Sequence, residues 1–176
     1  MAAPTSTSTS ISIWTRKLDL LYLVFFIIHV PIIFLVDITP LYPASLTPRF
    51  ILRIREFYIE TYHDKFFEHP PAWFGAYILM ELVYHVPVSV WAVGGLVRDD
   101  PLVPLHLLIW AVQAFLTTLT CLVEVWSWTD RTREEKANIS MLYGPYVGFA
   151  ALMGVDMFWR LRKQLVQKTT KKGKAE

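Results

Sequence analysis

A carboxylate stands in the middle of an apolar run in this chain: Glu81 lies within residues 73–97, a stretch of 25. A stretch of that length crosses a bilayer, which puts the acid near the hydrocarbon midplane. Inserting an acidic residue at that depth costs roughly 2.5–3.5 kcal/mol, so the side chain is expected to face protein or a cavity. There it can hold a cation, deliver a proton or accept a hydrogen bond. His85 follows one helical turn later on the same face, with Pro87 just beyond. The two read either as a satisfied structural pair or as a site that handles a ligand or a proton. His29, Pro31 and Asp37 form a second polar group at the end of an earlier apolar stretch. Pro31 removes a backbone hydrogen bond and should kink the helix, turning its polar end inward. Asp37 reads equally well as the point where that helix leaves the membrane.

Farther along, His106, Gln113, Thr117, Thr120 and Glu124 recur at spacings of 7, 4, 3 and 4, which places them on one narrow helical stripe. Such a stripe either lines a cavity or hydrogen-bonds a neighbouring helix or a second copy of the chain. In Tyr143-Gly144-Pro145-Tyr146-Val147-Gly148, the two glycines allow close helix approach and the two tyrosines lie about one turn apart. The sequence carries no glycine-rich phosphate loop, paired-histidine metal motif or nucleophile elbow. Neither a metal, a cofactor nor a nucleic-acid partner is expected.

The elements that must position these groups are membrane helices. Of 176 residues, 54% are hydrophobic and 15% aromatic, with a mean hydropathy of +0.38. That excludes an ordinary soluble domain and leaves room for about four crossings. Runs at 18–36, 73–97, 102–126 and 141–159 are predicted to span, giving an all-α polytopic four-helix bundle. The first run is too long for a signal peptide's apolar core and no small-x-small cleavage site follows, so it is expected to be retained. Four crossings put both termini on one side. Seven Lys or Arg from Arg160 onward, against Glu176 alone, make that side the cytosol. The far side still holds Arg49, Arg53, Arg55, Lys65, Arg131, Arg133 and Lys136.

The chain is thus divided into a disordered cytosolic N-terminus (1–15), a membrane domain (16–160) and a basic cytosolic tail (161–176). Between the first two spans, residues 50–62 mix apolar and charged side chains at helical spacing. Short amphipathic helices in this first lumenal loop are expected to pack over the bundle mouth, bounded by Pro40, Pro43 and Pro48 before and Pro70-Pro71 after. The single Cys121 rules out an internal disulfide. Asn138-Ile-Ser140 fits a glycosylation sequon but lies too close to a membrane helix to be a good acceptor. At the C-terminus, Lys172-Gly-Lys174-Ala-Glu176 fits the lysine-x-lysine-x-x signal that returns membrane proteins to the endoplasmic reticulum. A multi-pass protein of that membrane is therefore expected.

His29-Val-Pro31 with Asp37, then Tyr58, Asp64, Pro70-Pro71-Ala72-Trp73-Phe74, Glu81-Leu-Val-Tyr-His85-Val-Pro87 and Tyr143-Gly-Pro-Tyr146 together resemble the EXPERA-domain family, in its sigma-2 receptor branch, over roughly residues 16–160. The resemblance implies a four- or five-helix bundle with a lipid-exposed entrance to a sterol-sized cavity. It implies that Asp37 pairs with the cationic amine of amphiphilic drugs and that Glu81 is hydrogen-bonded to it, since two carboxylates that close cannot both ionise. Asp64 would fix the loop over the pocket with His85 as its partner. Phe57, Tyr58, Tyr62, Thr117, Tyr143 and Tyr146 would line the cavity, and His29 and Gln113 would be structural polar groups.

Two functions of different class follow. One is a non-enzymatic receptor for a sterol or other lipid, whose occupancy regulates sterol or lipid homeostasis through a membrane partner in lipid trafficking or synthesis. The other is a sterol double-bond isomerase of the emopamil-binding-protein type, in which an acid such as Glu81 protonates a ring carbon and carboxylates and aromatic faces stabilise the carbocation. That branch carries a His one turn before the first-helix carboxylate and an Asn followed by a Trp in the last helix. Here Ile33 precedes Asp37 by one turn, and no Asn or Trp follows Tyr143 before Trp159, which favours binding without turnover. A third function, a non-catalytic subunit or chaperone of another membrane protein or a homodimer, would need only the polar third helix and the glycine pair.

Overall fold

The computed structural model describes residues 12–43, 45 and 47–172. Among them the regular elements are helices, and four segments are long and apolar enough to cross a membrane: Lys17–Asp37, Phe74–Arg98, Val103–Ser127 and Arg133–Thr170. The expected all-α polytopic architecture is the one observed.

Helix α1 (Lys17–Ile32) is apolar around its circumference, as a lipid-embedded helix must be. Pro31, with no N–H, leaves the carbonyl of Ile27 without its usual donor. The helix then loosens into a π turn, Ile33–Asp37, closed by an Ile38 N–H to Ile33 O bond of 3.1 Å. Helix α2 (Arg49–Tyr62) is amphipathic and ends at His63, whose φ of 51° is left-handed. Asp64 then caps the short α3 (Lys65–Glu68), accepting from the Phe66 N–H at 2.9 Å. Beyond Pro70-Pro71, α4 (Phe74–Met80) passes through a second π turn, Glu81–His85, into α5 (Val86–Arg98). The second span is thus one rod with a widened turn in its middle, and Pro87 sits just after that turn. Helix α6 (Val103–Ser127) has Pro104 in its first turn, where a missing N–H costs nothing.

Helix α7 (Arg133–Lys172) opens on a reciprocal cap: the Glu135 N–H reaches Thr132 Oγ1 at 3.2 Å, and the Thr132 N–H reaches Glu135 Oε2 at 2.7 Å. Its 40 residues make about 60 Å of helix, twice a bilayer's ~30 Å core. The predicted run 141–159 is only its apolar centre, and the helix continues without a break through residue 160.

The bundle has two ends with different chemistry. At the tail end, where α1 begins and α7 leaves, Asp19 is buried and held by Arg16 and Arg160. Arg160 also meets Asp156 at 2.7 Å, and Asp156 accepts from the Tyr22 hydroxyl at 3.1 Å. Arg16 reaches the Leu96 carbonyl at 2.7 Å, so one cluster ties α1, α5 and α7 together. Above it lies a core of Tyr22, Phe26, Leu96, Leu107, Trp110 and Met153. At the loop end α2 and α3 roof the bundle: Phe66 and Phe67 pack with Val125, Trp128 and Ile139. Lys65–Asp130 (2.8 Å) and Arg131–Glu68 ion pairs hold the rim. Most large exposed side chains, such as Ile27, Val83, Leu116 and Val123, are aliphatic and suit a lipid-facing surface.

Candidate functional site

Between the spans, under the roof, lies a cavity of about 390 Å³. The two π turns face it. A π turn accommodates one extra residue per turn, which widens the helix and re-aims its side chains, and such turns recur at functional sites. Here one turn ends on Asp37 and the other begins on Glu81. The two spans run in opposite directions, so both carboxylates belong to the roofed half of the cavity, while His29 and His85 lie deeper. All four line it.

Asp37 and Glu81 are electrostatic neighbours. Each is carried on its own widened turn and faces the cavity, and no Lys or Arg among the described residues pairs with either. Asp64 differs from expectation. Its partners are Tyr58 (2.9 Å), Tyr143 (3.0 Å) and the Phe66 N–H (2.9 Å) rather than His85. The loop that carries Asp64 lies at the roof, whereas His85 is about three helical turns inside the second span. Asp64 therefore locks the roof to α7, fully buried and fully bonded. Burial raises its carboxyl above the ordinary value, against the pull of those three donors, and burial beside the same acid raises the Tyr58 phenol.

The deep end is aromatic. His85 stacks on Trp110 at 4.8 Å between ring centres, and His29 meets the same indole edge-on at 5.6 Å. The Tyr146 hydroxyl lies 2.6 Å from His29 Nδ1. The Trp110 N–H donates to Ser89 at 3.1 Å. His85 Nε2, by contrast, is buried without a hydrogen-bond partner, a state that costs about 1–3 kcal/mol.

The polar stripe of α6 divides among several tasks. Gln113 and Thr117 line the cavity. The Thr117 hydroxyl donates to the Gln113 carbonyl at 3.0 Å, so it offers the cavity only its lone pairs. Thr120 lies 3.4 Å from the Tyr77 hydroxyl, and His106 packs edge-on against Trp91. Among the aromatic residues expected in the wall, Tyr58, Tyr143 and Tyr146 line it. Phe57 does not: it is 66% exposed, because one residue's step turns it about 100° from Tyr58 around α2. Tyr62 stands behind the wall, its ring 5.1 Å from that of Tyr58. Lys174 falls outside the described residues. Lys172 is the last residue of α7, and its side chain is not described.

Sequence reasoning missed Phe25, Phe74 and Tyr77 in the wall and the Trp110–Ser89 pair beneath it. A Trp near the middle of a span was the available signal, since membrane tryptophans concentrate at the interfaces.

Comparison with known proteins agrees with this architecture. Residues 50–157 match the EXPERA (EXPanded EBP superfamily) family. The chain is 33% identical over 150 residues to the Schizosaccharomyces pombe protein named Efficient mitochondria targeting-associated protein 19, covering 83% of this chain and 78% of that one. It is 23% identical over 145 residues to human Sigma intracellular receptor 2, covering 75% and 82%. With a match spanning its roof, three of its four spans and the Glu81 turn, the chain belongs to the EXPERA family.

Proposed function

We propose that this chain is a sigma-2-receptor-like protein of the endoplasmic reticulum membrane that binds sterols or cationic amphiphiles in its intramembrane cavity. Its occupancy regulates sterol or lipid homeostasis through a membrane partner in lipid trafficking or synthesis. One observation carries this reading: two carboxylates from separate helices, Asp37 and Glu81, line a largely aromatic and aliphatic cavity with no Lys or Arg among the described residues to neutralise them. A charged group in such surroundings needs a counter-charge, and an amphiphile's ammonium supplies one while its apolar body covers the wall. The volume falls in the range of roughly 300–1,000 Å³ typical of small-molecule sites. Similarity to Sigma intracellular receptor 2 supports the same class of ligand.

The test is direct binding of a radiolabelled cationic amphiphile to purified protein, with lipid mass spectrometry to identify what copurifies. Wild-type-like binding by both Asp37→Asn and Glu81→Gln would reject the site. Turnover is tested separately: expression in cells that lack sterol isomerase activity should not restore growth, and a rescue that depends on Glu81 would replace binding with catalysis.

On this reading the membrane domain spans 16–160, both termini face the cytosol, and Lys172 and Lys174 return the protein to the endoplasmic reticulum. A second reading rests on the similarity to the protein named for efficient mitochondria targeting. In it the chain is a non-catalytic helper in mitochondrial protein delivery, and its loss would slow that delivery whether or not Asp37 and Glu81 are intact.

A further inference from the structure

We propose that α2 is an interfacial lipid-binding helix: one outer flank is seated in the phospholipid leaflet at the loop end of the bundle, with Phe50 and Phe57 among the acyl chains and Arg49 and Arg53 at the phosphates. The starting observation is a pair of rings that the cavity does not use. Phe57 is 66% exposed and Phe50 is 56% exposed, although their helix packs on the bundle. Seven residues apart, they lie within about 20° of each other around the axis and roughly 10 Å apart along it.

The rest of the helix divides accordingly. Ile51, Tyr58 and Tyr62 turn toward the bundle. Glu56 and Glu60 stand on the exposed side. Phe50 and Phe57 occupy a flank between these faces, beside the exposed Arg49 and Arg53, and the opposite flank presents Leu52. An apolar flank bordered by arginines is the pattern of a helix lying in the plane of a membrane surface.

Depth decides what covers that flank. Tyr58 packs in one cluster with Val36 and Tyr143. Val36 belongs to the last turn of the first span, Lys17–Asp37, and Tyr143 lies inside the apolar run 141–159 of α7. Helix α2 is therefore level with the ends of two membrane spans, where water gives way to lipid. Phe34, Met141 and Leu142 are exposed at the same level and face lipid like the rest of the spans. Arg55 is used within the roof, donating to the Phe67 carbonyl at 3.3 Å, whereas Arg49 and Arg53 are left at the surface. Rings with guanidinium groups beside them match a phospholipid's acyl chains and phosphate. Tyr58, next to Phe57, donates to Asp64 at 2.9 Å, so the leaflet's hold on the flank is carried into the cavity wall.

Spin labels on the purified full chain in phosphatidylcholine nanodiscs test the placement, with Cys121→Ala removing the native thiol. Labels at Phe50→Cys and Phe57→Cys should collide more with oxygen, which concentrates in lipid, than with a water-soluble nickel chelate. At Glu56→Cys and Glu60→Cys the order should reverse. Nickel access at position 57 equal to that at 60 would overturn the proposal. So would protection of position 57 from both reagents, whether a second copy of the chain covers the flank, seen as spin–spin broadening, or the chain itself does. If the labelled variants do not fold, the native protein decides. A phospholipid with a photoactivated diazirine on its acyl chain should leave adducts at Phe50 and Phe57, and a water-soluble diazirine should not; the reverse pattern, or no lipid adduct on α2, rejects the site.

Discussion

The two ends of this bundle bury the same chemical group in opposite ways. At the tail end Asp19 lies between Arg16 and Arg160, with Asp156 and the Tyr22 hydroxyl completing the cluster. Under the roof, Asp37 and Glu81 line the cavity with no cation among the described residues. A buried acid bracketed by arginines is spent on holding helices together; a buried acid facing a cavity is available to something that enters it. Position in an apolar stretch does not separate the two cases. The presence or absence of a counter-charge does.

The sharpest way to break this contrast is to exchange the fates of the two kinds of acid. Asp19→Ala leaves two guanidiniums facing each other without their shared partner, and should destabilise the fold by about 3–5 kcal/mol, read as a lowered denaturant midpoint in detergent. Asp37→Asn and Glu81→Gln should instead leave stability intact or raise it, while each weakens binding of a cationic amphiphile by at least about tenfold, or 1.4 kcal/mol. If Asp19→Ala unfolds no more readily than Asp37→Asn, the division into structural and ligand-directed acids fails.

Asp64 tests the boundary between the classes, since it is buried like Asp19 but neutralised by hydrogen bonds alone. Tyr143→Phe removes one of the three and should cost about 1–2 kcal/mol without touching the ion pairs of the rim. The pH dependence has a definite sign. Burial raises the Asp64 carboxyl, so the folded chain keeps a proton that the unfolded chain has already released. Stability contributed by this group is therefore full below the ordinary carboxylate range and declines as pH rises through the raised value. Unfolding midpoints measured across that range should fall less steeply in Asp64→Asn than in the native protein. The smallest effect is expected at the tail: replacing Lys172 and Lys174 with Ser should leave ligand affinity unchanged while a tagged protein moves to post-Golgi membranes in cells. Retention there, together with a C-terminal tag protected in sealed microsomes, would overturn both the signal and the orientation.

Much of this was legible in the sequence because membrane helices obey simple rules. The four spans follow from hydropathy and length, the amphipathic roof from the spacing within 50–62, and the importance of Glu81 from the cost of an acid at that depth. The π turns were not legible. Their hydrophobic pattern is that of any helix, and Pro31 and Pro87 announce only a disturbance, whose form depends on how neighbouring helices pack. The same limit explains the exchange of partners around Asp64: the sequence presents two plausible groups, His85 and the tyrosines, and only the folded path of the 62–65 turn chooses between them. Phe57 and Tyr58 are adjacent and chemically alike, so which one enters the wall depends on the rotation of α2, a tertiary quantity. The tail cluster could have been anticipated at Asp156 and Arg160, four residues apart, but Asp19 looked like an ordinary first-turn acid.

Each π turn is also, in the language of heredity, a single surplus residue. Deleting one position within 33–37 or 81–85 would let the helix revert to regular winding with its flanking turns nearly in register, because the widened turn already absorbs the extra residue. One codon lost at 33–37 would close the widened turn on which Asp37 is carried. The length of these two segments, counted in single residues, is then as much a determinant of the binding site as the acids themselves.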